Sequence, residues 1–407
     1  MNLLNLNNSE REVFHVLQKR GPLTKHEILA VCDIRPSNLN RIIAYLLNEG
    51  MIVEEGQDIS SGGRKPSIFD IRKDHSYIIG VQMSHLSIKV VLTDLKMQIL
   101  QNEERLRTPD CAWDGETVMA SVLDFAYRAL KKSGISEERL LCIGVGVSGT
   151  VDYRTGIIGP ADHVSFLDWP HLNVKSELEE HFRCPVYVDL GANAVAIGEY
   201  LYGSGQNCTS LAVLGYSAAL SSAFISNGKL VRSATNSENH FAHTVINVAG
   251  EQCACGNRGC LQTYASISVV VREVMRRIAL GENCSLDVNN FDMDTYRFIS
   301  ILQAAYAGDK VCTEEIKKSA YFYGIGLSNY VSLLSPEIVV LTGPFVGYDE
   351  LYFETAVNIA KNILAKKGIT KTCFQKYTHL GKEKGSLAIS AAALAFECYM
   401  NSPIVSR

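Results

Sequence analysis

Residues 77–107, YIIGVQMSHLSIKVVLTDLKMQILQNEERLR, hold three strand-like stretches in a row: Tyr77–Ser84, Ser87–Leu95 and about Gln98–Arg107. An apolar stripe around Thr117–Lys131 predicts a helix, and Leu140–Gly149 (LLCIGVGVSG) reads as a buried strand ended by its glycines. A helix over Val174–Phe182 and a strand over Pro185–Asp189 follow. The theme restarts at Ser210, where SLAVLGYS, SSAFISN and GKLVRS form a second meander. Helices at about 266–280, 296–307 and 311–333, a strand over Glu337–Leu341 and a small-residue helix over Leu387–Phe396 complete it. Two meanders, each followed by alternating helices and strands, predict an α/β fold duplicated around a cleft that binds something between its halves.

The first seventy residues have a different pattern. Val13, Phe14, Val16 and Leu17 share one helical stripe that ends at Gly21-Pro22, and Thr24 is placed to cap a second helix carrying Ile28, Leu29 and Val31. Pro36 opens a third helix, whose apolar face is Leu39, Ile42, Ile43, Leu46 and Leu47 and which Gly50 closes. Its other face presents Ser37, Asn38, Asn40, Arg41, Ala44 and Tyr45, with Arg35 just before it; small and polar residues of this kind reach base edges and phosphates in a major groove. A strand from Met51, the polar turn Ser60-Ser61-Gly62-Gly63-Arg64-Lys65-Pro66 and a strand at Ile68–Ile71 then form a wing, with Arg64 and Lys65 at its tip suited to phosphate or a narrow minor groove. The module therefore reads as a winged helix-turn-helix whose partner is an operator in double-stranded DNA. The alternative is a helical cap or dimerisation module with a solvated polar face.

At 407 residues the chain allows two to three domains at about 150 residues each. Hydrophobic residues at 47% and charged residues at 20% exclude disorder. No apolar run approaches the roughly 20 residues of a membrane helix, and the start, MNLLNLNNSEREVF, lacks a basic segment followed by an apolar one, so a cytoplasmic protein with no membrane partner is expected. The net charge of -4 argues against bulk electrostatic binding of nucleic acid. Within residues 1–75, ten Lys/Arg face ten Asp/Glu, so the reader is neutral and needs two or more copies on a spaced site, as in a homodimer or homotetramer.

Most of the twelve cysteines are scattered singly, as reduced core thiols would be, but Cys253, Cys255 and Cys260 fall within eight residues, ten after His243 at their nearest. One imidazole and three thiolates are the ligand set of a closed tetrahedral Zn2+ site, one ion per chain, and the glycines between them let a short loop gather the sulfurs. Four protein ligands leave no position for water, so the expected role is structural. Three plain reduced thiols, or a different fourth ligand such as Cys208 or Cys284, are the alternatives.

With these residues in view, the chain resembles the ROK family, which unites sugar kinases with sugar-responsive repressors on a duplicated, actin-like (ribonuclease H-like) fold. The resemblance rests on Gly63-Arg64-Lys65-Pro66, on Gly144-Val145-Gly146-Val147-Ser148-Gly149-Thr150-Val151-Asp152, and on Ala192-Asn193-Ala194 with Gly198-Glu199. It rests also on Pro336-Glu337-Ile338-Val339-Val340 and, most specifically, on His243 with Cys253-Ala254-Cys255-Gly256-Asn257-Arg258-Gly259-Cys260-Leu261. The winged helix marks the repressor branch.

The kinase motifs of the family are degenerate. Its first phosphate loop falls on Gln82-Met83-Ser84-His85-Leu86 and its second on about Ser217-Ala218-Ala219, where side chains replace the glycines that let backbone meet phosphate. The family's Asn-Asp pair, whose Asp is the general base, falls on Leu190-Gly191; two sugar-holding glutamates fall on His240 and Gln262. Asp189 lies two places before the base position. No catalytic residue is therefore expected. Ser148, Ser165, His240 and Gln262 remain as candidates to bind an effector, a small carbohydrate or sugar phosphate, with a protein partner and then no ligand at all as the next alternatives.

The expected division is 1–75 as the DNA-binding unit, 76–193 plus 382–407 as a smaller α/β lobe, and 194–381 as a larger lobe with the zinc site and an oligomerisation surface. The expected function is a repressor of carbohydrate-uptake or carbohydrate-metabolism genes with a catalytically inactive, sugar-kinase-like effector domain. Its rivals are an ATP-dependent ROK sugar kinase with a fused regulatory domain and a protein-binding scaffold.

Overall fold

The computed structural model describes residues 3–57, 66–84, 86–108, 113–159, 169, 172–217, 219–233, 240–286, 294–343, 350–377 and 387–403. The N-terminal unit runs α1 (Asn8–Arg20), β1 (Leu23–Thr24), α2 (Lys25–Val31), α3 (Pro36–Asn48), β2 (Ile52–Gln57) and β3 (Ser67–Ile71). Capping boxes of Asn7 with Glu10 and of Thr24 with Glu27 start α1 and α2, and Pro36 occupies the first turn of α3. The three strands pair in the order β1-β3-β2. The wing tip with Arg64 and Lys65 lies outside the described residues, as do Ser165, His85 and Ala218.

The first lobe comprises β4 (Tyr77–Met83), β5 (Ser87–Asp94), β6 (Ile99–Leu106), α4 (Gly115–Ser133), β7 (Leu140–Val147), three two-residue strands β8 (Val151–Asp152), β9 (Ile157–Ile158) and β10 (Leu172–Asn173), then α5 (Val174–Phe182) and β11 (Val186–Leu190). Helix α6 (Gly191–Tyr202) leads to the second lobe: β12 (Ser210–Gly215), β13 (Ser221–Ser226), β14 (Lys229–Leu230), α7 (Gln262–Ala265), α8 (Ile267–Ala279), α9 (Asp294–Tyr306), α10 (Lys310–Leu334), β15 (Ile338–Thr342), α11 (Glu350–Ala365) and β16 (Cys373–Lys376). Helix α12 (Leu387–Met400) closes the chain's last turn through the core.

The duplication is visible in the strand order. The first sheet runs β6-β5-β4-β7-β11 and the second β14-β13-β12-β15-β16. In each, an antiparallel meander is extended from its first strand by two parallel strands that follow helical crossovers.

One expectation needs correction: the glycines near residue 144 do not end their strand. Gly144 and Gly146 lie inside β7, all of which is buried. Gly144 pairs directly with Gly80 of β4, and α12 rests on that bare patch. A Cβ at Gly80 would stand 1.9 Å from the Ala388 carbonyl oxygen, and one at Gly144 would stand 1.9 Å from that of Ala391. The absence of side chains on the sheet, with alanines on the helix, brings two backbones into contact, which explains the Ala-rich composition of α12.

The N-terminal unit does not hang on a linker. Val13, Phe14, Leu17, Ile28, Leu39 and Leu46 belong to one buried cluster with Val91, Leu95, Leu141 and with Ala392, Phe396 and Met400 of α12. Polar contacts reinforce the seam. Arg11, itself buried, donates to the carbonyls of Met400 (3.0 Å) and Ser402 (2.5 Å). Gln18 donates to the Leu95 carbonyl at 2.7 Å and accepts from the Tyr202 hydroxyl at 2.9 Å. Lys96 donates to the carbonyls of Leu17 and Gly21 and pairs with Asp70. His15 Nε2 lies 3.0 Å from Glu397 Oε2, close enough for an ion pair though not aligned as a hydrogen bond.

Candidate functional site

The cysteine loop is built on tight backbone geometry. A 3-10 turn at His240–His243 delivers the imidazole, and the chain returns through isolated bridges Val245↔Cys260 and Gln252↔Arg258. The Cys253 N–H donates to the Asn257 carbonyl (2.8 Å) and the Gly256 N–H to the Cys253 carbonyl (3.0 Å), closing a small turn around Cys255. Gly259 has φ +69°, and a Cβ there would stand 1.6 Å from the Asn247 carbonyl oxygen, so only glycine fits.

This framework brings His243, Cys253, Cys255 and Cys260 together, with one potential ligand atom of each lying within 4.8 Å of all the others. Cys253 Sγ is 3.6 Å from His243 Nδ1, and Cys255 Sγ is 3.5 Å from Cys260 Sγ. Burial pushes the Cys253 and Cys260 thiols up, whereas Cys255, despite the opposing effect of its own partial burial, is shifted down by the Asn257 N–H and the neighbouring thiols. Three thiols crowded at this range repel one another as thiolates, and a cation among them removes that repulsion. Of the alternative fourth ligands, Cys208 bonds to the Gly205 carbonyl and Cys284 lies with Cys312.

The second candidate region is the edge at the carboxyl ends of β7 and β11, where sheets of this kind usually bind ligands. Ser148 follows β7 and is half-buried, with its N–H donating to the Met83 carbonyl. His240 is exposed, its ring 6.3 Å from that of His243. The Gln262 side-chain Oε1 accepts from the Leu220 N–H at 3.0 Å, so it anchors the turn between β12 and β13. Leu190 is buried, and Gly191 begins α6 without a side-chain cap.

Asp189 has both carboxylate oxygens engaged. It is 2% exposed, and its Oδ1 accepts from the Leu190 N–H (2.8 Å), from Asn193 Nδ2 (2.8 Å) and from Arg232 Nη1 (2.9 Å), while Oδ2 accepts from Arg232 Nη2 at 2.5 Å. The same guanidinium stacks 4.0 Å from the centroid of Tyr153, in the turn between β8 and β9. Arg232 follows β14 of the second sheet, so this fork-on-fork pair ties the first sheet to the second. Sequence reasoning missed Arg232 because 43 residues separate it from Asp189 and no motif spacing connects them.

On the N-terminal unit, Arg35, Ser37, Asn40 and Arg41 are exposed along α3 and Asn38 is half-buried. Arg41 donates to Asn38 at 3.1 Å, and Lys25 of α2, which sequence reasoning passed over, donates to Asn40 at 2.7 Å. These bonds preset the long side chains on one face.

Comparison with known proteins agrees with this architecture. The model of the ROK family matches residues 78–397. A xylose repressor of Caldicellulosiruptor bescii is 28% identical over 82% of both chains, and the DNA-binding dual regulator NagC of Escherichia coli is 23% identical over 83% of this chain and 81% of its own. Among solved structures, a ROK transcriptional regulator homologous to the E. coli MLC protein superposes with a TM-score of 0.78 at 18% identity, covering 97% of this chain and 96% of that one. A Streptomyces griseus ROK glucokinase superposes at 0.65 and 24% identity, covering all of the kinase but 79% of this chain. At these identities the structural matches establish the fold.

Proposed function

This chain belongs to the ROK family, and we propose that it is a DNA-binding transcriptional repressor of carbohydrate-uptake or carbohydrate-metabolism genes, whose sugar-kinase-like body senses rather than phosphorylates. One observation carries this reading: a helix-turn-helix unit with an exposed Arg35, Ser37, Asn40 and Arg41 face is packed into the same buried cluster as α12 of the body. The names of the relatives, a xylose repressor and a DNA-binding transcriptional dual regulator, support it.

The N-terminal unit is a winged helix in which α3 enters the major groove, Arg41 and Asn38 meet bases or phosphates, and Arg64 and Lys65 hold the wing on the backbone. The body divides into lobes at 76–193 with 382–407 and at 194–381. Zn2+ held by His243, Cys253, Cys255 and Cys260 braces the loop beside the cleft. The observed Sγ···Nδ1 and Sγ···Sγ separations of 3.6 and 3.5 Å fit the edges of a tetrahedron with metal–ligand bonds of about 2.0–2.3 Å. Ser148, Ser165, His240 and Gln262 are the residues that bind a small carbohydrate or sugar phosphate. A homodimer or homotetramer in the cytoplasm pairs the neutral readers on a repeated half-site. No helix among the described residues is long and apolar enough to cross a membrane.

Selection from random duplexes by the full chain is expected to enrich a palindromic or repeated half-site. Arg41→Ala should reduce affinity for that site by at least about tenfold, the loss of one good base or phosphate contact; an unchanged isotherm would sink the assignment. Catalysis is tested separately. A coupled assay for ADP over a panel of sugars should show no turnover above a no-sugar control, because Leu190 and Gly191 supply no base and Asp189 is fully engaged by Arg232 and Asn193. Turnover with any sugar would restore the kinase reading.

A further inference from the structure

Away from the loop just described, the segment after α8 meets the start of α10. Cys284, Asp309 and Cys312 bring two sulfurs and a carboxylate oxygen within 4.8 Å of one another. Cys284 Sγ lies 3.7 Å from Cys312 Sγ and 3.6 Å from Asp309 Oδ1. A tetrahedral ion with bonds of about 2.3 Å to sulfur and about 2.0 Å to oxygen has S···S edges of about 3.8 Å and S···O edges of about 3.5 Å. Both edges from Cys284 thus stand at the spacing that one ion requires, and the third lies within 4.8 Å.

The carboxylate is held in place for such a role. Oδ1 of Asp309 accepts the Cys312 N–H at 2.9 Å as the N-cap of α10, and Oδ2 accepts the Ser285 N–H at 2.7 Å and the Ser285 hydroxyl at 3.0 Å. Outer hydrogen bonds of this kind orient metal-binding carboxylates. Cys312 is fully buried while Cys284 is half-buried, so one side of the trio is closed by protein and the other faces the solvent.

We propose that Cys284, Cys312 and Asp309 form a second site for a thiophilic divalent cation such as Zn2+, with three protein ligands and a fourth position left to water or an exchangeable ligand. Two thiolates and a carboxylate around a divalent cation leave one net negative charge, which the N-terminus of the 25-residue α10 favours. With three protein ligands against four, the second site is weaker than the four-ligand loop, and its occupancy follows the free cation concentration. When filled, it ties the end of α8 to the start of α10.

The test is metal stoichiometry on the full chain, purified reduced, loaded with zinc and desalted. About two zinc ions per chain are expected, one of them removed by a weak chromophoric chelator that leaves the other. Cys284→Ser, at a half-buried position, should lose the labile ion and keep the tight one; Cys312→Ala should do the same, and Cys253→Ala the reverse. Cobalt(II) added to protein that retains its tight zinc should give a thiolate-to-cobalt charge-transfer band, lost in Cys284→Ser. A single ion in the wild-type chain, or a labile ion that survives both Cys284→Ser and Cys312→Ala, overturns the proposal. So does an intact mass lighter by two hydrogens with a Cys284–Cys312 peptide, because the pair would then be a disulfide.

Discussion

Stripping the tight metal from the full chain with a strong chelator is expected to unfold residues 244–260 locally and to lower the protein's apparent stability by several kcal/mol, while the two sheets persist. The apolar anchors Phe241 and Leu261 are buried, but between them Val245 is exposed and Val248 is 87% exposed, so the loop buries little of its own surface. Its order rests on backbone hydrogen bonds such as Gly259 N–H to Glu251 and Ile246 N–H to Gly259, each contributing only about 1 kcal/mol net. Zinc binding to such ligand sets contributes roughly 10–16 kcal/mol in isolated peptides at neutral pH. Here the gain is capped by the energy of folding one loop, because the surrounding lobe stands on its own core of Tyr216, Phe298, Tyr323 and Tyr352. Hydrogen exchange should therefore rise in 244–260 and stay low in β12 and β15. Cys260→Ala, removing a fully buried ligand, should reproduce the effect without chelator. A metal-free chain with unchanged exchange and melting would defeat the reading.

What could be read from the sequence follows from the range of the interactions. The helices of the N-terminal unit were legible because their signals are local: Asn7, Thr24 and Pro36 mark starts, and the apolar periodicity marks the buried face. The duplicated meanders were legible because the same order of patterns occurs twice, and strand pairing repeats it. The gathering of His243, Cys253, Cys255 and Cys260 was legible because three of the four are sequence neighbours. What stayed hidden depends on contacts between distant segments. The glycines of β7 looked like a strand end because nothing in the local pattern shows that α12 lies upon them. Arg11 reads as an ordinary surface residue of an amphipathic helix, yet it is buried against the carbonyls at the end of α12, 389 residues away. The trio of Cys284, Asp309 and Cys312 spans a helix and is invisible to a search for clustered cysteines.

The Arg232–Asp189 clasp carries the second large prediction. Arg232→Met should cost about 3–5 kcal/mol, since it leaves a carboxylate that is 2% exposed without its counter-charge, and the Asn193 and Leu190 donors cannot replace a bidentate guanidinium. Asp189→Asn should cost less, because the freed guanidinium keeps its stacking on Tyr153 and is itself only partly buried. If the pair acts mainly on itself, combining Arg232→Met with Asp189→Leu should recover much of the loss, since replacing both members of a buried ion pair is often near neutral. Denaturant unfolding of the wild type, Arg232→Met, Asp189→Leu and the double variant gives the coupling energy directly. The cycle also distinguishes two roles for Asp189. A residual catalytic base would have to be free to accept a proton from a sugar, and its replacement by Asn would change activity more than stability. A clasp changes stability and the ease with which the lobes part, and its loss should speed hydrogen exchange at the facing ends of β11 and β14. A single-variant cost below about 1 kcal/mol for Arg232→Met would show that the lobes are held by other contacts and that the charge pair is incidental.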